Sequence, residues 1–586
     1  MGDAGSQRLR GLGPVLLGLA FCIPALTVGF VFDDLIHRLA LEGNLPGMKS
    51  RWWSLYEFAT NQSVHSLIDL GALPWFTSPE LSLRLFRPLS SATLALDAAL
   101  FGRRPFPAHL HTLVWFGLLV GFTALLYRRW LRPRVARLAA ILYAVSGVHA
   151  LPTAWLASRH TLVAAVFSVV ALWGWARWRE DHWRPGAAVA GAALAASLLS
   201  SEAWLAGLAF LVLYEGLGPR PWRARLVGVA PLVALGALYL VAYWALDYGI
   251  RGSAMYISPL HTPGAYLTAA AARLPLAYAE LFGGAPSILG GADPTAKRVL
   301  VGSGVATLGA VGASLYALRR RIRAADRFPL LWLGLAATVS PLLLVGTAVT
   351  GRVLPVPLVG AAAVVAQILV AAWETLRDAA ARRRWPAALP LLLFGAGPGI
   401  LSPMKRLGLP LVFGATAKMH AKVAREADLG NCFDGGRIYL LTAADPALSL
   451  YLAPSLLFYR PHNPHAERLR VLTIIPHDLE LTRTSDRAFE LTVLYLPRRT
   501  NEFELLYRPS SSPLEPGQSF TVEELRVEVL ETSRGLMTKA RFELDASLDS
   551  PSSCFIAWHD QRIAPVRMPP VGQSVTLPHE KGPAGL

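Results

Sequence analysis

The most restrictive feature of this 586-residue sequence is a series of long apolar blocks separated by short, arginine-rich segments. A helix needs about 20 mostly apolar residues to cross a bilayer. Hydrophobic residues make up 53% of the chain and charged residues only 16%, whereas a soluble domain carries roughly a quarter charged residues. This pattern excludes a disordered chain, a coiled coil, a small disulfide scaffold and a soluble globule. It predicts a polytopic α-helical membrane protein.

The apolar blocks predict about eleven membrane spans with soft boundaries. The first block also resembles a signal peptide, but it is long for a signal core and no clear small-x-small cleavage site follows it. An uncleaved first span is therefore favoured. The predicted spans lie near residues 11–31, 108–127, 138–156, 160–176, 186–200, 203–218, 227–246, 299–318, 328–348, 353–373 and 386–403.

The net charge of +17 reports membrane orientation rather than nucleic-acid binding. Residues 404–586 are balanced, with 21 basic and 21 acidic residues, so the whole excess lies in residues 1–403. There the arginines cluster in five short segments, near 128–137, 177–184, 220–225, 319–327 and 377–384. Such loops normally remain on the cytoplasmic side. We therefore expect a multi-pass protein of the inner (cytoplasmic) membrane, with a cytoplasmic N-terminus, a periplasmic or extracellular C-terminal domain and no nucleic-acid partner.

Two domains are expected. Residues 1–403 form the transmembrane domain with long outer loops at 32–107 and 247–298, and residues 404–586 form a soluble extracytoplasmic α+β domain that is β-rich from about 520. Cys432 and Cys554 either pair outside the cell or remain buried thiols. Helices are predicted at Tyr266–Phe282 and Pro446–Tyr459, and strands at Ile438–Leu441, Arg470–Ile475, Phe489–Tyr495, Leu525–Leu530, Lys539–Leu544, Phe555–Trp558 and Val575–Leu577.

Ionisable residues gather at the outer ends of the predicted spans. Taken singly, each is readily explained as a solvated loop residue or an interfacial anchor. Ionisable groups at membrane depth are costly unless paired, however, and are often functional. Coming from several separate turns on one face, they are candidates to line one cavity. These candidates are Asp33, Asp34, Arg87, His109, His149, Arg159, Glu202 and Arg352.

Short motifs surround these residues over about the first 360 positions. They are Phe32-Asp33-Asp34; Arg87-Pro88-Leu89 with Leu100-Phe101-Gly102, Pro105-Phe106 and His109-Leu110; His149 with Ala154-Trp155 and Ser158-Arg159; Leu199-Ser200-Ser201-Glu202; and Arg352, Leu354, Pro357 and Gly360. In this pattern the chain resembles bacterial relatives of the transmembrane and tetratricopeptide-repeat protein O-mannosyltransferases, which are glycosyltransferases of the GT-C fold. No repeat with a period near 34 residues follows.

The chain departs from that family at several charged positions. Leu151 and Gly351 stand where the family carries glutamate, Thr161 where it carries aspartate, and Ser201 where it carries lysine. Ser146-Gly147 replaces a His-Pro pair. The resemblance therefore implies the fold and the acidic pair, and it leaves the donor type and activity open.

The resemblance implies transfer of a sugar from a polyprenyl-phosphate donor to an acceptor hydroxyl on a protein, lipid or glycan at the outer face of the membrane. Asp33 or Asp34 becomes the general base, with Asp34 favoured. No metal ligand is predicted, and a divalent cation is left open. Arg159 and Arg352 become candidates for the lipid phosphate, Arg87 and His109 for substrate binding, and His149 and Glu202 for the sugar or for orienting an arginine.

Two alternatives remain. The uncharged Leu151 and Ser201 favour a catalytically inactive GT-C-like scaffold of the cell envelope. A lipid or solute transporter would show internal repeats and charges at the membrane midplane. The sequence has no such repeat, and its polar residues collect at the outer face.

Overall fold

The computed structural model describes residues 12–48, 51–291, 294–378, 385–429, 436–461, 466–496 and 502–582. The chain is a polytopic helical membrane protein that carries a C-terminal domain containing two β-sheets. Seven helices in this part of the chain are long and apolar enough to cross a membrane, and they coincide with seven of the predicted spans. They are Pro105–Trp130, Pro133–Ala154, Leu156–Asp181, Trp222–Ala245, Pro294–Ala317, Pro357–Arg377 and Ala387–Glu426.

Three of the other four predicted spans form helices shorter than a bilayer requires. Pro185–Leu198 and Trp204–Leu217 have 14 residues each, or about 21 Å at 1.5 Å per residue, against a hydrocarbon core of about 30 Å. The block at 328–348 forms Ala324–Val339 and then a 3₁₀ turn, Ser340–Leu343. The first block is described from residue 12, where it is helical as far as residue 20 and continues into a 3₁₀ turn, Ile23–Thr27. Within its described residues the structure therefore contains fewer than the eleven full-length spans that were predicted.

The two long outer segments fold together. The first contains helices Asp33–Leu41, Val64–Asp69 and Pro88–Phe101, and the second contains Pro263–Gly283, which includes the predicted amphipathic helix. A three-stranded antiparallel sheet joins the two segments because Ser82–Arg84 pairs with both Glu57–Ala59 and Gly249–Arg251.

The C-terminal domain is entered through a helix, Ser402–Glu426, which crosses the expected boundary at 403/404. The predicted helix Pro446–Tyr459 follows. The four-stranded sheet has the order Arg562–Pro565, Ser553–His559, Arg437–Thr442, Leu469–Val471. The six-stranded sheet has the order Ser574–Leu577, Leu479–Arg483, Ala488–Val493, Leu536–Leu544, Leu525–Ser533, Ser519–Val522.

The strands predicted at Ile438–Leu441 and Phe489–Tyr495 are present as Arg437–Thr442 and Ala488–Val493, and such early strands supply central positions in both sheets. One expected strand needs correction. The strand expected at Arg470–Ile475 ends at Val471. Cys554 is disulfide-bonded and Cys22 is a free, buried thiol, while Cys432 lies outside the described residues.

The C-terminal domain shares its hydrophobic core with the first outer segment. Leu35 and Leu39 pack in one buried cluster with Leu448 and Leu452. Trp75 packs in a second cluster with residues of the six-stranded sheet, and its indole Nε1 donates a hydrogen bond to the carbonyl of Leu472 (2.9 Å). The domain is therefore fixed onto the outer loops and covers them.

The described parts of the five arginine-rich segments lie together at one end of the helices. Ion pairs join them across the chain: Arg129–Glu180 (2.6 Å), Arg132–Glu374 (3.0 Å), Arg179–Glu215 (2.7 Å), Arg220–Glu215 (3.0 Å) and Arg321–Asp378 (2.5 Å). Arg352 precedes the helix Pro357–Arg377 and Asp378 follows it. These 21 residues span about 31 Å, so Arg352 lies a membrane thickness away from the arginine-rich end.

Candidate functional site

A chamber of about 410 Å³ lies between the outer segments and the C-terminal domain. Its walls are mainly apolar. Among its polar lining residues are Asp33, Arg352, Tyr256, Tyr451 and Tyr507. The chamber therefore brings one carboxylate and one guanidinium of the predicted set into the same cavity.

Asp33 begins its helix directly after a strained residue. Phe32 has φ 49° and ψ −118°, a conformation that is costly for a bulky side chain and is maintained only where the surrounding structure imposes it. The ring of Phe32 lies between those of Trp155 and Tyr451, with centroid distances of 6.2 and 5.1 Å. This packing sets the direction in which the helix Asp33–Leu41 leaves the membrane domain.

The carboxylate of Asp33 accepts a hydrogen bond of 2.5 Å from the hydroxyl of Tyr451. Burial raises the pKa of Asp33, while the Tyr451 hydroxyl and the positive charges of Arg352 and Arg87 oppose that rise. A carboxylate that is partly desolvated is a stronger proton acceptor than one in water. Asp33 thus has the properties of a general base facing a cavity.

Asp34 is only 4% exposed and does not line the chamber. Its two oxygens accept hydrogen bonds from the backbone N–H groups of Val31 (3.0 Å) and Ala157 (2.6 Å). Burial raises its pKa to about 7, against the lowering effect of these two bonds. Asp34 therefore joins its helix to the turn near Ala157, and its geometry does not favour the expected role of general base.

Arg352 faces the chamber and lies near an aromatic ring. Its guanidinium donates hydrogen bonds to the hydroxyls of Tyr256 (3.2 Å) and Thr347 (3.4 Å) and lies 5.6 Å from the ring centroid of Trp155. In the part of the chain that the structure describes, no carboxylate lies within ion-pair distance of it. A guanidinium with this freedom is suited to an anionic group such as a phosphate.

Arg87 and Glu202 form a pair at 2.7 Å and do not line the chamber. The guanidinium of Arg87 lies 4.9 Å from the ring centroid of Tyr56, and Glu202 also accepts a hydrogen bond from Tyr243 (2.9 Å). This pair joins the first outer segment to the turn at 200–202. The positive charge of Arg87 nevertheless acts to lower the pKa of Asp33.

Arg159 is fully buried, and its donors are occupied within the protein. It pairs with Asp97 at 2.5 Å and donates to the Thr112 hydroxyl (2.8 Å) and the Ala108 carbonyl (2.7 Å). Asp97 is also 2.6 Å from the ring of His111. This network holds three helices together, so the expectation that Arg159 binds phosphate does not fit its geometry.

The two predicted histidines are also fully buried and do not line the chamber. The Nε2 atom of His109 lies 3.3 Å from the carbonyl oxygen of Gly29. The ring of His149 packs edge-on against Phe116 (5.2 Å) and Tyr143 (4.8 Å). Both lie inside the helix bundle, so their position does not fit the expected contact with substrate.

Sequence reasoning did not find Tyr451 or Tyr256. Tyr451 is 418 residues from Asp33 along the chain, and it belongs to a helix that looked like an ordinary part of the C-terminal domain. Tyr256 lies in an outer segment without a distinct motif. No local sequence signal identifies either residue, because only the docking of the C-terminal domain and the second outer segment brings them to the site.

Two carboxylates of the described residues line the chamber, those of Asp33 and Glu467. Asp34 directs both oxygens to backbone N–H groups, which leaves Asp33 as the only carboxylate of the pair that faces the cavity. Among the described residues, the group of metal-binding side chains close enough to hold an ion is His559, Asp560 and Glu580, on the exposed surface of the C-terminal domain. These three residues do not line the chamber.

No family model and no curated protein matches the chain. Among solved structures it is similar to ArnT from Cupriavidus metallidurans bound to undecaprenyl phosphate, with 16% identity and a TM-score of 0.38, covering 80% of this chain and 90% of that one. It is also similar to the Archaeoglobus fulgidus oligosaccharyltransferase tethered with an acceptor peptide, with 11% identity and a TM-score of 0.35, covering 78% of this chain and 64% of that one. Likenesses this distant do not define an activity.

Proposed function

We propose that the chain is an integral-membrane glycosyltransferase that moves a sugar from a polyprenyl-phosphate-linked donor to an acceptor hydroxyl. The observation that carries this proposal is the meeting of Asp33 and Arg352 in one chamber. The reaction needs a base for the acceptor proton and a cation for the departing phosphate. Both groups are present, and Arg352 is not neutralised by a carboxylate among the described residues.

In the proposed reaction, the Asp33 carboxylate takes the proton of the acceptor hydroxyl as the hydroxyl oxygen attacks the anomeric carbon of the sugar. The bond between that carbon and the phosphate oxygen breaks, and its electron pair leaves with the polyprenyl phosphate. Arg352 stabilises the negative charge that grows on this phosphate. Tyr451 holds the Asp33 carboxylate in position through its hydrogen bond, and Asp34 holds the start of the same helix.

The outer face of the membrane is the proposed location of the reaction. The chamber lies at the end of the helices opposite the five arginine-rich segments. Arginine-rich loops normally stay in the cytoplasm. The chamber, the two long outer segments and the C-terminal domain would then face the periplasm or the extracellular space of a cytoplasmic-membrane protein.

The test is a transfer assay on the full chain in lipid bilayers, with polyprenyl-phosphate sugars and an envelope extract as acceptor. General acid–base groups contribute about 10²–10⁴-fold to rates, and we expect Asp33→Asn to lower transfer by that factor. Arg352→Gln should lower it as well. Asp247→Asn is the matched control, because Asp247 is a half-exposed outer carboxylate outside the chamber. A folded Asp33→Asn variant with normal transfer would contradict the assignment of the base.

The second candidate is the inactive envelope scaffold. It is favoured by Leu151, which lines the chamber as an apolar residue where the resembling family carries glutamate. The same assay separates the two candidates. Folded wild-type protein that transfers sugar from none of the donors would favour the scaffold.

A further inference from the structure

The chamber that contains Asp33 is apolar over most of its wall, although it lies largely outside the membrane-spanning helices. Leu45, Met48, Leu67 and Leu70 come from the first outer segment, and Leu457 comes from the C-terminal domain. Protein interiors are normally close-packed. A cavity of about 410 Å³ instead falls in the range of ligand sites, about 300–1,000 Å³.

We propose that the acceptor is a lipid with a free hydroxyl, whose apolar part fills this chamber while the hydroxyl reaches Asp33. This inference rests on the proposed function and specifies its acceptor. A peptide or a glycan would press amide or hydroxyl groups against leucine and phenylalanine side chains and leave them without hydrogen-bond partners, which is costly. A hydrocarbon chain gains free energy in the same space.

A donor lipid explains the apolar wall of the chamber less well than an acceptor lipid does. Arg352, assigned to the donor phosphate, lies beside Trp155, and the chamber wall here includes Leu151 and Phe413 from membrane-spanning helices. The donor chain can therefore remain in the bilayer on this side. The leucines of the first outer segment form a different part of the wall, which membrane-spanning helices do not supply.

Two lining residues are exposed and allow the chamber to be altered without disturbing the core. Leu70 is 37% exposed, and Ala72 is also exposed. Leu70→Arg places a charge against the apolar wall, and Ala72→Trp reduces its volume. Leu494→Arg is the matched control, since Leu494 is 39% exposed and lies outside the chamber.

The probe is hexadecanol carrying a photoreactive diazirine, applied to the full chain in lipid bilayers, with labelled peptides identified by mass spectrometry. We expect labelling within 45–85 and 450–457, and a loss of about tenfold in Leu70→Arg and Ala72→Trp but not in Leu494→Arg. Displacement by added polyprenyl phosphate would overturn the inference, because the chamber would then hold the donor. Labelling spread over the lipid-facing helices, or unaffected by both chamber variants, would also overturn it.

A second measurement separates failure of this inference from failure of the proposed function. Labelling reports binding and needs no transfer, so Asp33→Asn should be labelled like the wild type. In the transfer assay, hexadecanol should accept sugar and a soluble serine- and threonine-containing peptide should not. Transfer to the peptide at the same rate would overturn the lipid acceptor while supporting the glycosyltransferase.

Discussion

Removal of the Tyr451 hydroxyl tests the electrostatic argument at Asp33. In Tyr451→Phe the Asp33 carboxylate loses its 2.5 Å hydrogen bond but keeps its aromatic neighbour. A hydrogen bond to a charged group contributes about 1.5–3 kcal/mol, and one pKa unit corresponds to about 1.4 kcal/mol. Because the bond favours the charged form, its loss should raise the pKa of Asp33 by about 1–2, above the value already raised by burial.

The assay is the pH dependence of the transfer rate. A base works only when deprotonated, so the acidic limb of the profile should move to higher pH by about 1–2 units, while the rate well above the limb changes little. The other charged groups that act on Asp33, Arg352 and Arg87, remain in the variant. Tyr459→Phe is the control, because Tyr459 lies on the same helix outside the chamber. A limb that stays in place or moves to lower pH would refute the reasoning.

Three further predictions concern stability. Asp97→Ala removes the carboxylate that pairs with the fully buried Arg159. In denaturant titrations the free energy of unfolding should therefore fall by about 3–5 kcal/mol. A loss below about 1 kcal/mol would mean that water reaches Arg159. Burial raises the pKa of Asp34 to about 7, so its contribution to stability is present at low pH and is lost as pH rises from about 4 to 7. In Asp34→Asn the difference in melting temperature between pH 5 and pH 8 should therefore shrink. An unchanged difference would contradict the raised pKa. In Gly360→Ala the new methyl group would collide with the backbone carbonyl of Leu333, so we expect a lower melting temperature, and an unchanged one would show that the two helices can separate at little cost.

The membrane domain could be predicted from sequence to a large extent. Apolar length decides whether a helix can cross a bilayer, and this is a local property that can be read from consecutive residues. The arginine-rich segments likewise revealed a common end of the bundle, where Arg129, Arg132 and Arg321 now meet acidic partners. Pro185–Leu198 was wrongly predicted as a full span, because hydropathy does not show where a helix begins and ends, and this helix has only 14 residues.

The candidate site was predicted only in part. Asp33 and Arg352 were found because they stand in motifs at the outer ends of predicted spans, and both line the chamber. Arg159 stands in an equally distinctive motif, yet its guanidinium forms a buried ion pair with Asp97. Adjacent residues such as Asp33 and Asp34 are equivalent in sequence, and only their surroundings decide which one faces the cavity.

By itself the sequence determined the class of the protein, most of its long helices, the common end of its basic loops and the acidic pair, because each depends on the composition or spacing of neighbouring residues. The tertiary structure alone decided which charges are free and which are paired, and it supplied Tyr451 from a helix 418 residues away from Asp33. It also created the apolar chamber by packing the C-terminal domain onto the outer segments. Pairing, burial and cavity shape depend on contacts between segments that are distant in sequence, and for that reason they emerge only in the folded chain.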